Sequence, residues 1–380
     1  PSACRPLPRR RSRQAGRARP AAAPTRFFSV LSFIPYPSPV LTDCRQNSYS
    51  FVRTLLLLLL FAALSGSAPA TVLAIGSMLY PEMTKLGYPE ERCAGLLAVS
   101  GGLGPVIPPS IIMVVYCTIT MASVSNMFTA GIFVGCIIAV ILAVEVLYLA
   151  HKEKWPKMSR KFSGRELLQC LIRAFPALLM PIIILGGIYS GIMTATESSS
   201  TAVIYAFLVG TFVYRQLKLK DIPQIILTSA KSAGMILVII ATASSFSWLF
   251  TYSNMSNAIV GVITSMNISP KLFCVLIAVL VLFFGTFLEG TAICVLLVPV
   301  LWPVASAMGF TAIEFGLIVC LGGVIGAMTP PVAVNIFAAC SISKLSIAQV
   351  TRGELPFFFG FVAVLFAVAL FPSIFTFMIA

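Results

Sequence analysis

Two stretches of this chain carry the same pattern of glycines and prolines inside strongly apolar sequence. Residues 65–110 read SGSAPATVLAIGSMLYPEMTKLGYPEERCAGLLAVSGGLGPVIPPS, and residues 288–335 read LEGTAICVLLVPVLWPVASAMGFTAIEFGLIVCLGGVIGAMTPPVAVN. They line up without a gap at an offset of 222 residues, which sets Ala70 on Ala292, Leu79 on Leu301, Pro81 on Pro303, Gly87 on Gly309, Gly101 on Gly323, Gly104 on Gly326, and Pro108-Pro109 on Pro330-Pro331. That many coincident glycines and prolines mark an internal repeat. The chain is 58% hydrophobic and 10% charged, where soluble domains carry about 25% charged residues. It therefore reads as an all-α integral membrane protein. Paired apolar segments broken by Gly and Pro in corresponding halves are the best sequence pointer to a transporter's binding site.

The rest of the composition excludes more than it suggests. One histidine, His151, and ten cysteines outside any CxxC or Cys/His cluster give no support to a metal or thiol redox centre. No cofactor is expected. The net charge of +14 invites a nucleic-acid reading, but ten arginines and a single acid, Asp43, fall within residues 1–53. The remaining positive charge sits mainly in two short loops, which is a topology signal and not a nucleic-acid surface.

Residues 1–53 read as a disordered, basic, non-family tail, to be explained by a mis-started or truncated reading frame, although an Arg-rich, acid-poor start also mimics a transit peptide. Residues 54–150 read as a partial first repeat. An apolar arm at 54–64 is too short for the roughly 20 residues that cross a bilayer, so it turns at Ser65-Gly66-Ser67 and returns through 71–80 as a re-entrant hairpin. After a polar bend, the run 93–120 is cut by its glycines and prolines, and 127–149 forms an intact span. The loop 151–166 holds six Lys/Arg and is placed in the cytoplasm. Spans at 167–189, 197–214 and 222–251 link to the second repeat within 167–380. That repeat comprises a re-entrant hairpin at 271–304, a broken helix at 311–343 and a last span from 355. Lys85 and Arg92 sit inside with Lys344 and Arg352, so the two hairpins open to opposite faces as an inverted repeat requires.

Four segments, GYPEERCAGLLAVSGGLGPVIPPS, GIYSGIMTATESSSTAVIYA, FGTFLEGTAICVLLVPVLWPVASAMGFTAIEFGLI and GAMTPPVAVNIF, occur in that order. From residue 56 onward the chain closely resembles the large membrane subunit of the tripartite ATP-independent periplasmic (TRAP) transporters. The resemblance implies an elevator-type secondary transporter in the bacterial inner membrane. It would take up organic anions, such as C4-dicarboxylates or other carboxylates, on a sodium gradient. It also implies two protein partners, a small four-helix membrane subunit and a periplasmic substrate-binding protein. Family members carry further spans ahead of the first hairpin, many read SGSS where this chain has Ser65-Gly66-Ser67-Ala68, and proline is common where Ala195 stands.

Sodium is a hard cation that needs several oxygen ligands, and unwound helix midpoints supply them as carbonyls. Carried onto this sequence, the motifs put one sodium at Ser65, Ser67, Gly104, Ile107 and Pro109, and a second at Gly290, Thr291, Gly326, Thr329 and Pro331. The anion would sit between the tips on helix N-termini, with Ser67, Thr71, Pro108, Ser110, Thr291 and Asn335 as its candidate contacts. Two carboxylates stand out. Glu197 is either an intramembrane functional acid or a helix cap with Thr194 or Thr196, and Glu289 takes the place of Ser67 in the second tip. Serines and glycines in an apolar run are often plain helix-packing residues; here the repeat favours the site. Three alternatives remain: a stand-alone dicarboxylate/sodium carrier of related fold, a channel, or an inactive remnant of the permease. A membrane enzyme lacks any nucleophile, base and metal set.

Overall fold

The computed structural model describes residues 66–155, 164–215, 217–255, 260–261, 265 and 268–377. The readings made for residues 1–53, for the first hairpin arm at 54–64 and for Ser65 lie outside the described residues. In chain order the helices are α1 (Ala68–Lys85), α2 (Glu90–Gly101), the single turn α3 (Leu103–Val106), α4 (Ile111–Thr120), α5 (Val124–Lys152), α6 (Gly164–Tyr189), and α7 (Ala195–Leu208) with a π-helical extension Val209–Val213. They continue as α8 (Ile222–Tyr252), α9 (Pro270–Gly285), α10 (Gly290–Ala307), α11 (Ala312–Gly326), α12 (Val334–Ser343), α13 (Ile347–Leu370) and α14 (Pro372–Thr376). No strand occurs among the described residues. The stretches Glu90–Thr120, Val124–Lys152, Ile222–Phe246, Gly290–Ala307 and Ile347–Leu370 are long and apolar enough to cross a membrane. The chain is a multi-pass membrane protein.

The repeat seen in the sequence is a repeat of backbone structure. Helices α1 and α10 are both 18 residues long and begin and end at positions that match at the 222-residue offset. Each closes in the same way. Gly87 and Gly309 take left-handed φ values of 83° and 88°, and the amide beyond each reaches back into the last turn, Tyr88 N to Met83 O at 3.2 Å and Phe310 N to Ala305 O at 3.1 Å. This is a Schellman closure, which glycine makes without a Cβ penalty. The next helices, α2 and α11, start at matching positions, and both double prolines, Pro108-Pro109 and Pro330-Pro331, are cis.

Beyond the prolines the register changes. The left-handed caps Met121 (φ 58°) and Lys344 (φ 61°), and the helix-capping serines Ser123 and Ser346, match at an offset of 223 instead. Val332 is the inserted residue, since Ala333 (φ 32°) caps α12 as Ser110 caps α4. The alignment expected to run without a gap to Asn335 therefore does so only through Pro331, and Asn335 stands opposite Ile112.

Three boundaries also differ from the sequence reading. The return arms, expected at 71–80 and 292–304, run on to Lys85 and Ala307 with Pro81 and Pro303 inside the helix. A proline there forfeits one hydrogen bond, and termination falls to the glycine closure instead. At 1.5 Å per residue each arm is about 27 Å long. The last span begins at Ile347 and not at 355, because Ser346 and Gln349 form a reciprocal capping box over sequence expected to be a loop. Between α8 and α9, residues 256–259, 262–264 and 266–267 lie outside the described residues.

Packing interlocks the repeats. Helix α4, the far half of the first broken span, packs on α10 of the second repeat, and α12 packs reciprocally on α1 of the first. Tyr116 on α4 pins this exchange: its hydroxyl donates to Ala312 O at 2.6 Å, and its ring lies against Gly316. Around them α2 packs on α13 and α9 on α11, with Phe128, Phe315, Phe357 and Phe361 buried in the shared core. Helices α6 and α7 pack chiefly on each other, while α8 touches α10 and leaves Leu237, Val238 and Trp248 exposed. Apolar surface of this kind is what lipid or a membrane partner covers.

Candidate functional site

The start of α1 is seated in the break of its own repeat. Ser67, with extended backbone (φ −132°, ψ 125°), precedes the helix, and its carbonyl accepts from Thr71 N at 3.1 Å and Thr71 Oγ1 at 2.9 Å. Thr71 is fully buried. A Cβ on Gly104 would stand 3.0 Å from Thr71 Oγ1 and 3.3 Å from Ser67 O, and one on Gly66 would stand 2.6 Å from Pro109 O. Only glycine lets these backbones approach so closely. Pro108 and Pro109 have no N–H, so the carbonyls of Gly104 and Pro105 lose their helical donors. The Ser110 hydroxyl takes up the second by donating to Pro105 O, and it also accepts from Met113 N at 3.4 Å as the cap of α4. Ile107 packs its side chain against Gly135 on α5.

A second junction repeats the theme with different chemistry. Glu289, also extended, precedes α10; its carbonyl accepts from Ile293 N at 3.0 Å and its carboxylate accepts from Thr291 Oγ1 at 2.8 Å. Gly290 faces the Gly323 carbonyl, at 3.7 Å from an ideal Cβ, with Ile112 of the first repeat beside it. Val332 N donates to Thr286 O at 3.1 Å, which bonds the break directly to the loop ahead of α10. Thr329 is occupied locally: its N–H donates to Gly326 O at 2.8 Å and its hydroxyl to Ile325 O at 3.0 Å. At the start of α12, Asn335 is fully buried and donates its backbone N–H to Ala327 O at 3.3 Å, yet neither side-chain amide atom has a partner among the described residues.

The structure thus gathers Ser67, Thr71, Gly104, Pro109 and Ser110 at one junction; at the other it sets Gly290 against Gly323 and pairs Thr291 with Glu289, while Thr329 is bonded only within its own turn. Sequence reasoning read Gly66 only as part of the turn and did not single out Thr286 or Ser100. The last of these is a buried α2 serine whose hydroxyl also lacks a partner among the described residues; its signal was a lone polar residue between Val99 and Gly101. Glu197 serves as a cap. Thr194 N and Oγ1 both donate to its Oε2 at 2.8 Å, and Glu197 N returns a bond to Thr194 Oγ1 at 3.3 Å. This exposed carboxylate closes the start of α7, which packs chiefly on α6. Among the described residues, no group of three or more His, Cys, Asp or Glu is gathered in a way that could hold a metal. What both junctions offer is neutral oxygens, orphan helix N–H groups and one carboxylate.

Comparison with known proteins agrees with this architecture. Residues 51–374 match the family model described as "Tripartite ATP-independent periplasmic transporter, DctM component". The C4-dicarboxylate TRAP transporter large permease protein of Pseudomonas aeruginosa is 37% identical over 323 residues, covering 85% of this chain and 75% of that protein. Its counterpart in Rhodobacter capsulatus is 35% identical, covering 83% and 74%. The sialic acid TRAP transporter large permease protein of Vibrio cholerae is 32% identical, again covering 83% and 74%. With the family model covering most of the chain and these relatives matched over three quarters of their length, this protein belongs to the DctM family, the large permease component of the tripartite ATP-independent periplasmic transporters.

Proposed function

We propose that this chain carries organic anions into the cell together with sodium ions, as the large subunit of an assembly with a small membrane subunit and a periplasmic solute-binding protein. The observation that carries the reading is the pair of junctions, where a helix start meets an unwound, proline-stripped break in each repeat. Carbonyls of Gly104 and Pro109 with Ser67 at one junction, and Gly326 and Pro331 with Thr291 and Glu289 at the other, would form oxygen sets of the kind a hard cation needs. The anion would lie against the starts of α1, α10, α4 and α12, whose N–H groups and dipole ends favour negative charge. No Lys or Arg lies at Gly66–Thr71 or Glu289–Thr291, so bound sodium would supply the compensating positive charge. Coupling follows from that dependence.

The relatives named above carry C4-dicarboxylate and sialic acid, and a further relative in Oleidesulfovibrio alaskensis is an isethionate TRAP transporter permease protein. Their shared chemistry is an acid group on a small organic body, which supports an organic anion as the substrate class. Motion would be of the elevator type. The interlocked hairpins, breaks, α5 and α13 would move as one body against α6–α8, with re-entrant hairpins opening to opposite faces of the inner membrane.

The test is uptake. With the small subunit and a cognate binding protein in proteoliposomes, an inward sodium gradient should drive accumulation of a labelled C4-dicarboxylate or sialic acid. Equal uptake with potassium replacing sodium would contradict the coupling, and no uptake of any organic anion would contradict the activity.

A further inference from the structure

The most complete burial of an unpartnered acid lies away from both junctions. Glu354, the eighth residue of α13, is 2% exposed, and neither carboxyl oxygen has a hydrogen-bond partner among the described residues. It belongs to a buried stripe with Val350, Phe357, Phe361 and Leu365, spaced three and four residues apart on one helix face. Here α13 meets α2 backbone to backbone. A Cβ on Gly95 would overlap Glu354 N and the Gly353 carbonyl carbon, and one on Gly353 would overlap Glu91 O.

Among the described residues, the cations near the carboxyl are committed, exposed or distant, with Arg352 on α13 itself and His151 on α5 both exposed. Arg92 on α2 donates Nη1 to the carbonyls of Arg352 (3.2 Å) and Gly353 (3.4 Å), while its Nε and Nη2 hold Glu153 Oε1 at 3.0 and 2.8 Å, so Glu153 matches its charge. Glu91 on the same turn of α2 is a further acid. On α5, Lys152 lies over the Tyr148 ring and Glu145 lies against Gly360. Helix α12 offers only the Cys340 thiol. Lys271 on α9 and Glu314 on α11 sit at the far end of α13, beside Phe371 and Ser373, and α14 has no titratable side chain. An ionised carboxylate in such a place is an uncompensated buried charge, whereas a protonated one is a neutral group of ordinary size.

We infer that Glu354 is a proton-binding site, holding one proton on its carboxyl within the α2–α13 seam. A cleft of about 370 Å³ at the same end, lined in part by Arg92, Gln349 and Arg352, gives solvent a route to the adjacent turns of α13. Exchange of the proton then requires α2 and α13 to part at Gly95 and Gly353.

The test is infrared difference spectroscopy of the full chain in lipid nanodiscs, wild type minus Glu354→Gln, at about pH 8, far above the ordinary glutamate value of about 4.3. The expected result is a protonated-carboxyl C=O band present in wild type, absent from E354Q and displaced in Glu354→Asp. A difference spectrum containing only ionised-carboxylate bands would overturn the inference. If E354Q does not fold, the wild type minus Glu354→Asp spectrum carries the same decision. Neither comparison depends on transport.

Discussion

A side chain at residue 66 would put a carbon 2.6 Å from the Pro109 carbonyl oxygen, and the residue already holds a left-handed φ of 59°. Gly309 has a similar φ of 88° but open space around it. Comparing the two separates backbone strain from crowding. Gly309→Ala should cost about 1 kcal/mol, the strain of the left-handed region alone, while Gly66→Ala should cost about 2–4 kcal/mol and loosen the first junction. Thermal melting of the two purified variants decides the matter; equal losses would mean that Gly66 is not held against the break. Residue chemistry was only partly legible in advance. Thr194-x-x-Glu197 could be read as a cap because the capping box is local in sequence. That the hydroxyls of Thr329 and Ser110 are spent on Ile325 O and Pro105 O could not be read, since it depends on how the backbone bends after each break.

At the scale of elements, the sequence predicted helix breaks well and helix ends poorly. Pro108-Pro109 and Pro330-Pro331 remove consecutive donors, and the chain leaves the helix at both. Single prolines do not end a helix: the arms expected to stop at 80 and 304 run on to Lys85 and Ala307 with Pro81 and Pro303 inside them, and Gly87 and Gly309 close them. The same lesson applies to α13, whose first two turns hold Arg352 and Gly353 and looked like loop. There Ser346 and Gln349 set the start, with Ser346 Oγ donating to Gln349 Oε1 at 2.8 Å and Gln349 N donating back at 3.4 Å. Ser346→Ala should therefore destabilise the protein by about 1 kcal/mol, measured as a lowered melting temperature in detergent. Hydrogen exchange confined to residues 347–351 should rise with it. A melting temperature and exchange pattern equal to wild type would return this segment to a loop.

For the whole molecule, the repeat was visible as a period in the sequence, but its consequence was not. Charge parity suggested two hairpins facing opposite ways; it said nothing of α4 crossing to α10 and α12 to α1, because such pairings join residues about 200 apart, as the Tyr116–Ala312 bond does (|i−j| 196). This exchange brings Ile112 beside Gly290 and Gly323. Asn335, the residue opposite Ile112, lies on α12, which packs on α1 of the first repeat. The exchange joins the two junctions through packed helices, which supports the coupled carrier proposed above. The most direct test of the account is the sodium dependence of uptake in Ser67→Ala and Thr291→Ala, one variant per junction, in the assembled transporter. Each should raise the sodium concentration for half-maximal uptake by about fivefold to tenfold, the loss of roughly 1–1.4 kcal/mol of binding, with folding unchanged. Sodium curves identical to wild type in both variants would contradict the claim that these junctions hold the coupling ions.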